Sequence, residues 1–156
     1  MAIPPRVQSY LDSAGVAYAL LGHPYASSAL ASAEAAHVSG EYVAKGVLLE
    51  SRNRYLLALL PATRQIDLGA LHHRFGQLWG LATEREIGVV FPDCAPGAAP
   101  AAPAAYGIDA VVDDSLLEAA DLYLEAGDHT SLIHLARPDF AKLVMRLPHG
   151  HFSHHV

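Results

Sequence analysis

Lys45 stands inside an apolar run, Val43-Ala44-Lys45-Gly46-Val47-Leu48-Leu49, where an ammonium is costly unless something receives it. Side chains alternate along a strand, so Lys45 shares a face with Val43 and Val47. Two arrangements satisfy the physics. An acid or a negatively charged ligand meets the ammonium in a pocket, or the strand lies at a sheet edge and the stem covers apolar surface while the head stays in water. A second stretch with chemical potential is Gly97-Ala98-Ala99-Pro100-Ala101. Small residues let backbone approach a bound molecule, and Gly97, without a Cβ, is where that approach costs least. Such a loop can wall a small pocket, its amides and carbonyls making polar contacts while its alanines and prolines leave room for a short side chain. A tight turn uses the same residues.

The segment Gly127-Asp128-His129-Thr130-Ser131 holds an acid, an imidazole and two hydroxyls. An Asx or hydroxyl-bonded turn is its commonest structural use, and His129 is the candidate ligand-orienting imidazole. His23, before Pro24 at the end of a predicted strand, is a further candidate lining residue. Four of the 10 histidines lie in the last eight residues, His149-Gly150-His151-Phe152-Ser153-His154-His155-Val156. Residues 149–156 read as an exposed His-rich tail after a domain of residues 1–148. Such a tail binds zinc or nickel weakly, whereas a functional metal needs ligands held by a scaffold, so neither metal nor cofactor is expected. His72-His73 and His37 lack further ligands at useful spacing. Cys94, the single cysteine, reads as a small apolar filler rather than a nucleophile. No glycine-rich phosphate loop, Gly-x-Ser-x-Gly elbow or catalytic carboxylate pair is present. Any reaction here proceeds without a recognisable built-in nucleophile or base.

The elements that must position these residues follow from periodicity and punctuation. A chain of 156 residues with 52% hydrophobic and 17% charged residues supports one core. Lys45, Arg52, Arg54 and Arg64 interrupt the apolar stretches before the roughly 20 residues that span a bilayer, and no signal-peptide pattern is present. The expectation is a cytoplasmic chain with no membrane partner. A net charge of −6 argues against a broad basic surface and against DNA as a partner.

Pro4-Pro5 and Gly15 bracket a first helix with Val7, Leu11 and Ala14 inward, and Val16–Leu21 reads as a strand. Ser27-Ser28 cap a helix with Leu30 and Val38 on its apolar side, ending at Gly40. Val43–Leu49 and Tyr55–Leu60 predict an antiparallel hairpin ended by Pro61. Asp67 caps a helix containing Leu68, Leu71 and Phe75, and Thr83-x-x-Glu86 forms a capping box for the next. Phe91–Gly107 is a long loop, read either as functional or as a Pro/Ala linker between half-domains. Ile108–Val112, Leu122–Glu125 and Leu132–Leu135 read as strands, and a closing helix starts at Pro138 with Phe140, Leu143 and Val144 inward. The fold class is a mixed α/β domain.

Ala44-Lys45-Gly46-Val47-Leu48-Leu49, Leu59-Leu60-Pro61-Ala62, Phe91–Pro100 and Ala126-Gly127-Asp128-His129-Thr130-Ser131-Leu132-Ile133, in this order and spacing, resemble the YbaK/EbsC family. That family includes the editing domain of bacterial prolyl-tRNA synthetase and free-standing relatives, and the similarity runs from about Val7 to Val144. The resemblance implies a curved mixed sheet surrounded by helices and a trans-acting aminoacyl-tRNA deacylase. This enzyme hydrolyses the ester of a mischarged small amino acid by a positioned water or with help from the substrate. It places the essential lysine on Lys45 and the Gly-x-x-x-Pro substrate loop on Gly97 to Ala101, with the departure that the closing proline is Ala101 and the following Pro-Phe-Gly reads Ala101-Ala102-Pro103. The implied partners are the aminoacyl-tRNA acceptor end and a synthetase. Lys45 would engage the terminal adenosine phosphate or neighbouring oxygens, the amides around Gly97 and Ala98 would hold the acyl carbonyl, and His129 would shape the pocket. The alternative is a non-catalytic member that binds a tRNA end, a nucleotide or a protein.

Overall fold

The computed structural model describes residues 3–155. From the N-terminus its elements are α1 (Pro5–Ser13), β1 (Ala19–Gly22), α2 (Ala29–Ala35), β2 (Val43–Ser51), β3 (Arg54–Pro61), β4 (Arg64–Ile66) and α3 (Leu68–Phe75). They continue with β5 (Gly80–Leu81), α4 (Glu84–Val90), β6 (Asp109–Asp113), β7 (Asp121–Glu125), β8 (Ser131–Ala136), α5 (Arg137–Val144), β9 (His149–Gly150) and β10 (Ser153–His155). The two apolar runs pair as the antiparallel hairpin β2/β3, in register from Ala44↔Pro61 to Ser51↔Arg54. Arg52 and Asn53 carry it round with φ of 50° and 65°, the left-handed pair whose twist matches the flanking strands.

The hairpin is the middle of a mixed sheet ordered β1-β8-β7-β2-β3-β6-β9, with β5 also on β2. Parallel neighbours lie on both sides of it, β7 on β2 and β6 on β3. This explains the unbroken apolar sequence of β3: Leu57, Ala58, Leu59 and Leu60 are all fully buried because both faces are covered. Leu57 and Leu59 pack in the cluster that holds Val7 and Leu11 of α1 and Phe140 and Val144 of α5. Ala58 and Leu60 pack on the other side with Leu71 of α3 and with Phe152. Local signals set the helix ends. Asp67 accepts the Ala70 amide, and Thr83 and Glu86 cap each other's backbone reciprocally.

Several expectations change. β2 is interior, so edge snorkelling does not explain Lys45. The His-rich segment is not an exposed tail. β9 pairs with β6 and β10 with β4, Phe152 is fully buried, and its amide donates to Asp113 Oδ2 at 3.0 Å. Its outermost residue, Val156, lies outside the described residues. The long loop is packed rather than a linker: Phe91, Ala101 and Ala102 join the main core, and Tyr106 donates to Asp93 Oδ1 at 2.7 Å. Leu30 is 50% exposed, because α2 turns the small residues Ser32 and Ala33 inward against the sheet. The first strand begins at Ala19, three residues later than its apolar pattern. Among the described residues no helix is long and apolar enough to cross a membrane.

Candidate functional site

The site lies where two parallel strands part. β2 and β7 are paired only at Val43↔Tyr123 and Ala44↔Leu124. Paired residues of parallel strands point the same way, so the next residues, Lys45 and Glu125, emerge side by side on one face as the ladder ends. On that edge β2 gains its next partner, β5, only at Leu49 and Glu50. The loop after α4 crosses the opening. Its Ala95 amide donates to the Gly127 carbonyl at 2.9 Å and its Ala101 amide to the Glu125 carbonyl at 3.0 Å. Gly46 permits the crossing, since a Cβ there would lie 3.3 Å from the Ala99 carbonyl oxygen and 3.1 Å from Leu57 Cδ1. What remains is a cavity of about 280 Å³, walled by Lys45, Gly97, Ala98, Ala99, Glu125 and His129 together with Ser27 and Ser28 ahead of α2.

Lys45 is half-buried and joins none of the ion pairs or side-chain hydrogen bonds among the described residues. Burial lowers its pKa from the ordinary 10.5, as expected of an ammonium held without a counter-charge. Glu125 shows the opposite sign: burial raises its carboxyl above the ordinary 4.5, partly offset by the Ser32 hydroxyl and the His23 and His129 rings. Ser32 Oγ lies near enough to act on that carboxyl, yet it makes no well-formed hydrogen bond. Thus one cation and one acid share the cavity, each with capacity left for a ligand.

His129 sits in the left-handed region, φ 62°, at the tip of an Asx turn. Asp128 Oδ1 accepts the Thr130 and Ser131 amides at 2.9 and 2.8 Å, and Oδ2 accepts the Ser131 hydroxyl at 2.8 Å. Its Nε2 lies 2.9 Å from the Pro96 carbonyl, which can only accept, so Nε2 carries the proton and donates. His129 therefore braces the start of the loop at Gly97 as well as lining the cavity. Gly97 itself has φ 77°, a conformation suited to glycine.

The remaining predicted residues divide. Ala98 reaches the wall, but its amide already donates to the Ala95 carbonyl at 3.0 Å and is not free for a ligand. Among the described residues, the Gly97 and Ala99 amides make no internal hydrogen bond. Pro100 and Ala101 lie behind the wall rather than in it: Pro100 faces Gly127, and Ala101 is 3% exposed. The Ala101 departure has a local consequence. Its N–H anchors the loop to β7, a bond that a proline at this position lacks. His23 does not border the cavity; its Nδ1 donates to the Pro24 carbonyl at 2.7 Å and its buried Nε2 has no partner.

Cys94 stands outside the cavity wall. Its thiol is pushed up to about 11, mainly by burial, and sits 3.3 Å from the Tyr106 hydroxyl. Among the described residues no group of three or more His, Cys, Asp or Glu gathers that could hold a metal ion. Sequence reasoning missed Glu125 and Gly46. A glycine in an apolar strand was the available signal for Gly46, whereas Glu125 needed the β2/β7 register.

Among solved structures, the chain is similar to a protein provisionally assigned as a trans-editing enzyme for prolyl-tRNA synthetase. Identity is 19% and the TM-score 0.82, with 98% of this chain and 99% of that one covered. It is similar to a provisionally assigned signal transduction protein from Marinobacter aquaeolei VT8, at 22% identity and TM-score 0.79. That match covers 97% of this chain and 31% of the other, so the chain spans about a third of that protein's length. A scaffold protein used for computational epitope grafting has the same fold, at 18% identity and TM-score 0.80, covering 97% and 96% of the two chains. At these identities the likeness speaks for the fold alone. No curated protein matches the chain in sequence. Residues 23–143, more than half of the chain and including Lys45, the Gly97 loop and His129, match the model described as aminoacyl-tRNA editing domain, and the chain belongs to that YbaK-like family.

Proposed function

We propose that the protein is a trans-acting deacylase that removes a small amino acid from mischarged tRNA. The observation that carries this reading is Lys45: a half-buried ammonium without an acidic partner, across a small cavity from a loop of small residues with unused amides. Family membership supplies the substrate class. In this reading Lys45 takes the phosphate of the terminal nucleotide, or oxygens close to it, and the Gly97 and Ala99 amides donate to the acyl carbonyl as negative charge develops there. The small residues Gly97, Ala98 and Ala99 on one wall of the cavity of about 280 Å³ suit a short acyl group, as the second sieve that fidelity requires. One methylene changes binding by only about 1–3 kcal/mol at a single site.

Among the described residues the cavity wall carries no cysteine, and its hydroxyls are those of Ser27 and Ser28, the latter accepting the Ala31 amide as a helix cap. Cys94 is outside the cavity, and His129 Nε2 is committed to Pro96. In this reading the attacking water is oriented by the bound substrate, with the ribose hydroxyl beside the ester to help. Water oxygen bonds to the acyl carbon, the ester C–O bond breaks, and the ribose oxygen leaves with a proton. The products are the free amino acid and an uncharged 3′ end. The partner is the acceptor end of aminoacyl-tRNA in the cytoplasm, with a synthetase as the source of the mischarged product.

The test is a panel of tRNAs charged with alanine, serine, cysteine or proline, followed for ester loss. Acceleration with at least one small amino acid, abolished in Lys45→Ala, is the expected result. No acceleration with any of them would leave a binding protein and sink the deacylase reading.

A further inference from the structure

Among the described residues Glu125 is the only carboxylate in the cavity wall, and neither the family's lysine nor its glycine loop accounts for it. Its backbone has a structural duty, because its carbonyl accepts the Ala101 amide. Its side chain has none: the carboxyl joins no ion pair and no well-formed hydrogen bond among the described residues. The groups around it are the His23 and His129 rings, the Ser32 hydroxyl and Asp128, with Lys45 one strand away. Ser32 and the two rings offset only part of the cost of burying it. Both ring histidines carry a proton on the nitrogen that faces a carbonyl, Nδ1 of His23 on Pro24 and Nε2 of His129 on Pro96. A half-buried acid left in this state asks for a donor from outside the protein.

An aminoacyl ester at a tRNA terminus carries two charges of opposite sign, the α-ammonium beside the acyl carbon and the phosphate beyond the ribose. The cavity offers two counter-charges on neighbouring strands, which are about 4.8 Å apart, with the unused Gly97 and Ala99 amides across from them. We propose that Glu125 is the specificity-determining residue of this site: its carboxylate receives the free α-ammonium of the acyl group. The site then selects free aminoacyl esters over N-acylated or α-hydroxyacyl ones. This assignment rests on the deacylase reading for its substrate class. Desolvation opposes the carboxylate while the site is open, and a bound ammonium reverses that penalty. An uncharged hydroxyl or amide in the same place reverses it far less.

The experiment uses the full chain and uncleavable amide mimics of the terminal nucleotide: 3′-alanylamino-3′-deoxyadenosine 5′-phosphate, its lactyl counterpart and its N-acetylalanyl counterpart. Calorimetry gives the affinity of each. Wild type is expected to bind the alanyl mimic at least about tenfold more tightly than the other two, the scale of one charge-assisted hydrogen bond. Glu125→Gln removes that preference while leaving lactyl affinity within about threefold, and Lys45→Ala weakens all three alike. Equal binding of the three mimics by wild type would overturn the assignment with no variant needed, as would a Glu125→Gln loss that is the same for all. The mimics cannot be cleaved, so selectivity is read even if no ester is hydrolysed. Conversely, hydrolysis without amine selectivity removes only the role of Glu125. Failure of every mimic to bind at millimolar concentration overturns both.

Discussion

The C-terminal histidine segment and the cavity at Lys45 both concentrate groups able to carry charge, and they treat them in opposite ways. In the segment, His149 meets Asp114 at 2.6 Å and His155 meets Glu41 at 2.7 Å, while His151 and His154 stand exposed to water. Each imidazole is satisfied by an acid or by solvent, and Phe152 between them does the structural work. In the cavity, Lys45 and Glu125 are partly withdrawn from water yet join no ion pair among the described residues. A charge that is paired or hydrated costs little and says little about function. A half-buried charge without a partner is disfavoured in the free protein, so the folded structure holds it there against its own preference. Titratable residues can thus be dense where each is satisfied, and the proposed site rests instead on two that lack partners among the described residues.

Phe152 anchors the histidine segment in the core and carries the largest expected effect on stability. Phe152→Ala opens a hole in the core shared with Leu60 and Leu71, with an expected loss of about 3–5 kcal/mol in denaturant unfolding. His149→Ala and His155→Ala should each change stability by under about 1 kcal/mol and leave deacylation untouched. A large activity loss in either would move the site toward the segment. Lys45→Ala reverses the pattern: the deacylation rate drops by about a hundredfold or more while the melting temperature holds or rises. Gly46→Ala tests the crossing loop. Its Cβ would sit 3.3 Å from the Ala99 carbonyl, and the backbone must move to admit it, so kcat/KM is expected to fall by about tenfold in a protein that still melts cooperatively.

The smallest effects are those of pH. Lys45 has a lowered folded pKa, so the native state binds that proton less tightly than the unfolded chain does. Its penalty is present at neutral pH and relaxes as pH rises from the lowered value to 10.5. Affinity for the phosphate-bearing mimics runs the other way and declines through the same window. Glu125 has a raised folded pKa, so the native state binds its proton more tightly. Stability falls as pH rises from 4.5 through the raised value and is level above it. Glu125→Gln lacks that fall and should melt slightly higher than wild type at pH 7, with the gap closing towards pH 4.5. A variant that is more stable and less selective is what a functional acid predicts; a variant less stable at every pH would make Glu125 structural.

What the sequence determined by itself was local. Asp67 and the Thr83/Glu86 box set helix starts because a cap needs only residues three apart, and the β2/β3 hairpin followed from two apolar runs around the polar stretch Glu50 to Arg54. The conflict at Lys45 was visible in its neighbours, and the ordered motifs were enough to place the chain in its family. Only the tertiary structure decided what that conflict meant. Nothing near Lys45 in sequence says that β2 lies beside β7, 80 residues later, or that the ladder stops after Ala44 and leaves Lys45 and Glu125 on neighbouring strands where it ends. The histidine segment was misread for the same reason. His149 to His155 look like a polar tail until β6 and β4 offer edges to pair with and a core that takes Phe152. The use of the Ala98 and Ala101 amides, and the freedom of those at Gly97 and Ala99, depend on where the loop lies against β7. Caps and turns are settled within a few residues of chain, whereas whether a charge or an amide finds a partner depends on strands that meet only when the chain has folded.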